Sequence, residues 1–290
     1  MRRCVYTVLT GGYERLNDQK MALVDPEIPF ICLTDDSSLR SGTWQIRPFA
    51  PMFANDPFRS QRGAKLLAHR VLPDFDASIY IDNAVLLQAP PAKIFEAAGG
   101  AGLALPAHSF RATLREEFIA VAEQRLDDPA RITEQLTHYR AAFPDLLSGA
   151  LTWNGILIRD HRDQIVAATM EIWLAHLCRY SRRDQLSAAA AFRLAGLTPT
   201  LLEIDNYESW LHSWPHAPER KQAQRLWPDS GGHAERWLAL EIALEAQKRE
   251  TGQLEQRLAR LTVDHLAVLN STTWRMFAPA RALARRLRRI

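Results

Sequence analysis

RSQRGAKLLAHRVLPDFDASIYIDNAVLL, residues Arg59–Leu87, changes its apolar period halfway along. In the first half Leu66, Leu67 and Val71 fall at helical spacing, while Arg62, Lys65 and His69 share another face. The second half, SIYIDNAVLL (Ser78–Leu87), reads as one strand. The helix therefore feeds directly into a strand carrying Asp82, and the same alternation extends outward on both sides. Cys4–Leu9, Phe30–Thr34 and Trp44–Phe49 read as strands upstream. Downstream come a strand at Leu103–Pro106, helices over 113–126 and 130–142, and a strand at Leu151–Arg159. A helix over 163–179, a short helix after SRRDQLS and a strand at Thr200–Ile204 follow. Strands alternating with helices predict an α/β fold around a mixed, mainly parallel sheet.

This domain is expected to fill residues 1–210. Residues 211–233, rich in Trp, Pro, His and Gly, read as an irregular linker or wrap. From 234 to 270 the chain reads as a long helix with an imperfect heptad seam: Trp237, Leu240, Leu244, Gln247, Thr251, Leu254, Leu258, Leu261, His265 and Val268. Such a seam either pairs with another helix, as in a coiled-coil homo-oligomer, or packs on its own body.

With 290 residues, 47% hydrophobic and 24% charged, the chain has the composition of a soluble globular protein rather than a disordered tail. No stretch approaches the roughly 18 to 20 apolar residues of a membrane span, and no cleavable signal pattern precedes the first strand. A cytoplasmic location is the expectation. Cys4, Cys32 and Cys178 have no spacing that suits a disulfide framework or a zinc site. The net charge of +3 comes from the tail, where Arg275, Arg281, Arg285, Arg286, Arg288 and Arg289 meet no acid. The slightly acidic remainder argues against a nucleic-acid partner.

Ligands of open α/β sheets bind where strands end, so strand-terminal polar residues are the candidates for chemistry. Asp82 is one, as a metal ligand or as a turn former. Thr34, Asp35 and Asp36 end a second strand in the same way, or form a turn. In VYTVLTGGY, Thr7, Thr10, Gly11, Gly12 and Tyr13 offer two glycines that let backbone approach a ligand and a ring able to stack on a base. The segment is neither a P-loop nor a G-x-G-x-x-G dinucleotide turn.

Together VYTVLTGGYERL, FICLTDD, Trp44, Gln61–Leu87, PAHSFRATLREEF, LIRDH and YSRRDQLS resemble a glycosyltransferase-like family once catalogued as domain of unknown function 616, whose members occur in bacteria and plants. The resemblance covers about residues 3–205 and implies a GT-A-like nucleotide-sugar-binding domain. It implies that Thr7, Thr10, Gly11, Gly12, Tyr13, Thr34, Asp35 and Asp36 contact the donor nucleoside. Arg62, Lys65 and His69 would lie near its diphosphate, and Asp82 would take the first position of the usual metal-binding Asp-x-Asp. Here the sequence reads Asp82-Asn83-Ala84, without the second carboxylate. Either Asn83 or a distant His completes a Mn2+ or Mg2+ site, or cationic side chains replace the ion.

Asp184, with Gln185 beside it, would lie next to the donor sugar as the catalytic carboxylate, or else cap the following helix. Glu117 is a further catalytic candidate. His108, Arg111, Glu116, Arg159, His161 and Arg183 are the candidates for sugar or acceptor contacts. The expected function is hexosyl transfer from a nucleotide-sugar donor, a UDP-sugar first, to a glycan or lipid-linked glycan acceptor in surface polysaccharide synthesis. The alternative is an inactive sugar-nucleotide or glycan-binding scaffold. The basic tail, residues 275–290, reads as an amphipathic helix suited to an anionic membrane surface, which would hold the protein peripherally at the inner membrane, or as a solvated basic end.

Overall fold

Strand β1 (Arg3–Leu9) is buried along nearly its whole length and alternates between two apolar layers. Cys4, Tyr6 and Val8 face one core, Val5 and Leu9 the other, as the two-residue period of a strand dictates. A strand covered on both faces belongs at the centre of a sheet. It lies between the equally buried β2 (Phe30–Thr34) and β4 (Ala77–Ile81). A computed structural model describes residues 1–12, 14–216 and 233–281.

The remaining strands are β3 (Gln45–Pro48), β5 (Leu86–Leu87), β6 (Leu103–Pro106), β7 (Ile156–Asp160), β8 (Thr200–Leu202) and β9 (His212–Ser213). Seven of the strands form one sheet in the order β3-β2-β1-β4-β7-β6-β8, while β5 and β9 pair separately. β7 runs antiparallel to both of its neighbours, and the other pairings are parallel. The mixed, mainly parallel α/β sheet is as the sequence predicts. One face is covered by α1 (Pro57–Leu66), α2 (Ala68–Val71), α6 (Gln164–Arg179) and α7 (Ala188–Ala195), whose Leu66, Met170, Trp173 and Phe192 join its core. The other is covered by α3 (Pro91–Ala97) through Ile94 and Phe95, with Trp44, Trp153 and Leu211. α4 (Leu114–Glu123) and α5 (Pro129–Ala142) precede β7.

Two expected elements are interrupted. The strand read over Ser78–Leu87 stops at Ile81, where Val85 N donates to Asp82 O at 2.8 Å and turns the chain towards β9. The helix read over Arg59–Leu72 splits at Leu67 into α1 and α2. Its last-turn carbonyls are engaged elsewhere: Lys65 O accepts from Tyr6 Oη at 2.6 Å and Leu66 O from Arg159 Nη1 at 3.0 Å. Likewise β7 begins at Ile156 rather than Leu151: Thr152 makes an isolated bridge with Ala107, and Asn154 and Gly155 form a turn ahead of the strand.

The chain divides into two compact units at Glu235/Arg236. The second carries α8 (His233–Asn270) and α9 (Thr272–Met276). Along α8 the heptad positions Leu240, Leu254, Leu258 and Leu261 are exposed by 70%, 58%, 66% and 57%. Residues 278–281 are helical, with Pro279 in the first turn. The rest of the basic tail and most of the expected linker lie outside the described residues. No helix among the described residues is long and apolar enough to cross a membrane.

Candidate functional site

Parallel β1, β2 and β4 end at one edge of the sheet, and the reversed β7 starts there, because Ile81 pairs with Ile156. The turn before β7 therefore meets the end of β4: Asp82 N donates to Gly155 O at 2.9 Å. A Cβ on Gly155 would come within 2.5 Å of the Trp153 ring, so only glycine lets that indole fold over the turn. α1 arrives from the other side. Asp56 starts it by accepting from Arg59 N at 2.9 Å, with Pro57 in the first turn. Arg62 and Lys65 then stand one turn apart on the face towards this edge.

A cavity of about 210 Å³ lies here, lined by Arg62, Lys65, Asp82, Asn83, Arg183, Asp184 and Gln185 among the expected residues. Lys65 is 1% exposed and organises it. Its Nζ lies 2.6 Å from Asp184 Oδ2 and 3.5 Å from Asp82 Oδ1, donates to Asn154 O at 2.7 Å, and sits 4.7 Å above the Tyr80 ring. Arg62 Nε is 3.5 Å from Asp184 Oδ1. Burial pushes the Asp184 carboxyl up, but the Lys65 ammonium and the Arg62 guanidinium outweigh it and hold the group well below the usual aspartate range. Tyr80 Oη donates to Asp82 Oδ1 at 2.6 Å, and burial, then the Asp82 charge, raises the phenol far above its ordinary value.

The SRRDQLS segment is anchored from three sides, which fixes Asp184. Trp173 of α6 donates Nε1 to Asp184 O at 2.9 Å. Gln135 of α5 donates to Leu186 O at 3.2 Å and Ser187 Oγ at 3.1 Å. Buried Asp127 accepts from Ser181 Oγ at 2.5 Å and from Arg182 N at 2.7 Å. Asp184 begins a 3-10 turn, and α7 starts at Ala188 behind Ser187 with no side-chain cap, so the Asp184 carboxylate does not cap that helix and lines the cavity. Gln185 accepts from Asn154 N at 3.3 Å and donates to Thr152 O, which ties this segment to the turn before β7.

Thr10, Gly11, Gly12, Thr34, Asp35 and Asp36 gather at the ends of β1 and β2, on the same sheet edge but outside the cavity, whereas Thr7 lies inside β1 opposite Cys32, fully buried and closed to the donor contact expected of it. Gly11 and Gly12 take φ of 74° and 57°, and Gly11 N donates to the Asp35 carboxylate at 2.9 Å. Thr10 donates to Pro57 O at 2.7 Å, while Asp36 N donates to Thr34 Oγ1 at 3.1 Å. Tyr13 is outside the described residues.

Other expected residues are not brought to the cavity. His69 meets Glu171 of α6 at 3.1 Å. His161 lies at the opposite end of the sheet, bonded to Ser78 Oγ at 2.8 Å and Phe75 O at 2.9 Å, because β7 runs backwards. Arg159 is buried within the core against Tyr6, Leu66 and Met170. Glu116 works at the start of α4, where its carboxylate accepts from Ala112 N at 2.8 Å and its own N–H donates to the capping Thr113 Oγ1 at 3.2 Å. Buried Glu117 pairs with Arg111. Burial, then the Arg111 guanidinium, lowers His108 to about 4, so its neutral ring accepts from Arg111 N at 3.1 Å.

Asn83 does not supply a second metal ligand. Its amide donates to Arg15 O at 2.8 Å and accepts from Asn17 N at 2.9 Å. A divalent ion on Asp82 would also face an ammonium 3.5 Å from the same oxygen. Among the described residues no group of three His, Cys, Asp or Glu side chains is arranged to hold a metal. This donor set does not fit a resident divalent cation. Sequence reasoning missed Glu14, Gln61, Trp153, Asn154, Gly155 and Trp214, which also line the cavity.

The TOD1/MUCI70, glycosyltransferase-like domain profile matches residues 31–203. No curated protein matches the chain. Two similar solved structures are an apo WbbM bifunctional glycosyltransferase, 10% identical with a TM-score of 0.39, and apo mouse xyloside xylosyltransferase 1, 12% identical with a TM-score of 0.40. Each alignment covers 68% of this chain, and they cover 38% and 84% of the respective structures.

Proposed function

Because the chain belongs to the TOD1/MUCI70 glycosyltransferase-like domain family, we propose that it is a GT-A-type glycosyltransferase moving a hexose-type sugar from a UDP-sugar to a saccharide or lipid-linked saccharide acceptor in surface-glycan synthesis. The observation that carries this reading is the Lys65–Asp184–Arg62 constellation beside Asp82 at the carboxyl edge of the sheet. Group transfer from a nucleotide diphosphate needs cations for the leaving diphosphate, and Arg62, Lys65 and Arg183 supply them without a metal. The ends of β1 and β2 receive the nucleoside. Asp184, held ionised, accepts hydrogen bonds from sugar hydroxyls and stabilises positive charge developing at the anomeric carbon. So acidic a carboxyl is a weak proton acceptor, which favours an electrostatic role over general-base work.

Thermal shift with a panel of nucleotide sugars tests the reading, because a ligand bound only by the native state must stabilise it. A UDP-sugar is expected to raise Tm equally with Mn2+ and with EDTA. Stabilisation confined to Mn2+ would overturn the metal-free site, and no stabilisation by any donor would overturn the donor assignment. A second reading, a sugar-nucleotide-binding protein without transfer, is favoured by Asn83 standing where a second carboxylate is usual, its amide engaged by Arg15 and Asn17. Release of UDP with an acceptor present separates the two. In the same proposal α8 pairs with a second copy through its leucine edge, and residues 275–290 hold the cytoplasmic protein reversibly at an anionic membrane.

A further inference from the structure

Beyond the ion pairs, a set of aromatic rings at the cavity has no part in the chemistry above. Trp153 and Trp214 line the cavity, with ring centroids 5.6 Å apart. From Trp214 the rings continue to residues that do not line the cavity. Tyr207 lies 5.4 Å from Trp214, and Phe110 lies 6.2 Å away with its plane within 9° of the indole. Phe110 and Tyr207 are 4.9 Å apart and keep 36% and 48% of their surface in solvent. Folding has left an aromatic cluster uncovered next to the cavity-lining Trp214, and such surface marks a binding groove more often than it serves stability.

The cluster is rigidly built. Phe110 follows β6, whereas Tyr207 and Trp214 come from the segment after β8, and fully buried Asn206 cross-links the two. Its Nδ2 donates to Ala107 O at 2.9 Å, its Oδ1 accepts from Ser109 N at 2.7 Å, and its own N donates to Ser109 Oγ at 3.0 Å. The His212 ring, stacked on Trp153 at 5.1 Å, is bonded to Asn206 O at 3.0 Å. Ring spacing is therefore set before any ligand arrives, which lowers the ordering cost of binding. Polar groups flank the rings: the Arg111 guanidinium lies 5.2 Å over Phe110 and the His108 ring 4.3 Å from it. Flat apolar faces beside hydrogen-bonding groups suit a pyranose, which has an apolar C–H face and a rim of hydroxyls.

We propose that Phe110, Tyr207 and Trp214 form a stacking subsite for the saccharide acceptor, which leads its reactive end past Trp153 to Asp184. The assignment rests on the glycosyltransferase reading and adds the acceptor's class: an oligosaccharide of pyranose units, gripped through ring faces. Purified full-length chain is probed with a printed array of defined pyranose oligosaccharides, while UDP is titrated calorimetrically in parallel. The variant Phe110→Leu/Tyr207→Leu keeps apolar bulk and removes two aromatic faces. It is expected to lose array binding roughly tenfold or more while UDP affinity is unchanged. Phe110→Leu/Tyr207→Phe, which restores one ring, is expected to recover most of the loss. Undiminished array binding by the double leucine variant overturns the subsite. So does a wild-type chain that binds UDP and no oligosaccharide at millimolar concentration, an outcome that leaves the donor reading standing. Ring-dependent oligosaccharide binding without UDP binding supports the subsite and sinks the donor reading instead.

Discussion

Replacing Lys65 by Met removes an ammonium that is 1% exposed and leaves its neighbour's carboxylate, 7% exposed, without its nearest counter-charge at 2.6 Å. At that separation the direct attraction is about 6 kcal/mol for an effective dielectric near 20, and much of it offsets the desolvation of the two ions. Removing one partner exposes the uncompensated part, so Lys65→Met is expected to destabilise the fold by about 3–5 kcal/mol at pH 7. Asn154 O loses its donor in the same change, which places the effect towards the upper end. Removing the second charge as well relieves the penalty. Lys65→Met/Asp184→Asn should therefore be less destabilised than the sum of the single variants by at least about 2 kcal/mol. The pH dependence follows from the same pair. In the native chain the Asp184 pKa is depressed, so its contribution is present above the ordinary aspartate value and is lost as pH falls below it. Without Lys65, burial is opposed by Arg62 and Arg183 alone, so that pKa rises from its depressed position and the variant's deficit should shrink as pH is lowered from 7 to 4. Urea unfolding of the four chains at both pH values measures all of this. A Lys65→Met penalty below 1 kcal/mol, or additive single effects, would refute the buried triad.

Asp184→Asn should lower glycosyl transfer roughly a hundredfold or more while donor affinity changes only a few-fold, read by initial rates and UDP calorimetry. Asp127→Ala removes the acceptor shared by Ser181 Oγ and Arg182 N, so it should lower turnover roughly tenfold and Tm by several degrees, although the residue lies outside the cavity. Leu254→Glu/Leu258→Glu on α8 should convert an oligomer to a monomer in sedimentation equilibrium, and an unchanged mass would exclude this edge as the interface. Deleting residues 275–290 should abolish co-sedimentation with anionic liposomes and spare donor binding.

The sheet was legible because β1 and β2 are short apolar runs closed by turn residues, and α6 carries its own Asp163 cap. Strand polarity was not. Nothing local in LTWNGILIR says that β7 runs backwards, and that reversal sends His161 to the far edge while bringing Asn154 and Gly155 to Asp82. The break after Ile81 was hidden because Val85 and Leu87 stay buried beyond the turn, so the apolar pattern runs on after the sheet has ended. Leu67 hid a break for the opposite reason: the groups that claim the α1 carbonyls, Tyr6 and Arg159, are remote in sequence. Asp82 was visible as a polar residue at a strand end, Arg62 and Lys65 as cations on one helix face, and Asp184 through the family resemblance of its segment. Their union through one buried ammonium is tertiary, and Trp153 and Trp214 carried no spacing that would mark them.

Arg159 never reaches the cavity, yet it donates to Leu66 O and to Tyr6 Oη, the group that holds Lys65 O, so a cation grips the negative end of α1. In a random-mutagenesis screen scored by product alone, Arg159 and Tyr6 would cluster with Lys65 and Asp184 among the silent variants. Sorting those hits by expression level would split them. Losses at Arg159 and Tyr6 should track soluble yield, while losses at Asp184 should persist in well-expressed protein, giving the screen a way to separate scaffolding from chemistry without a ligand in hand.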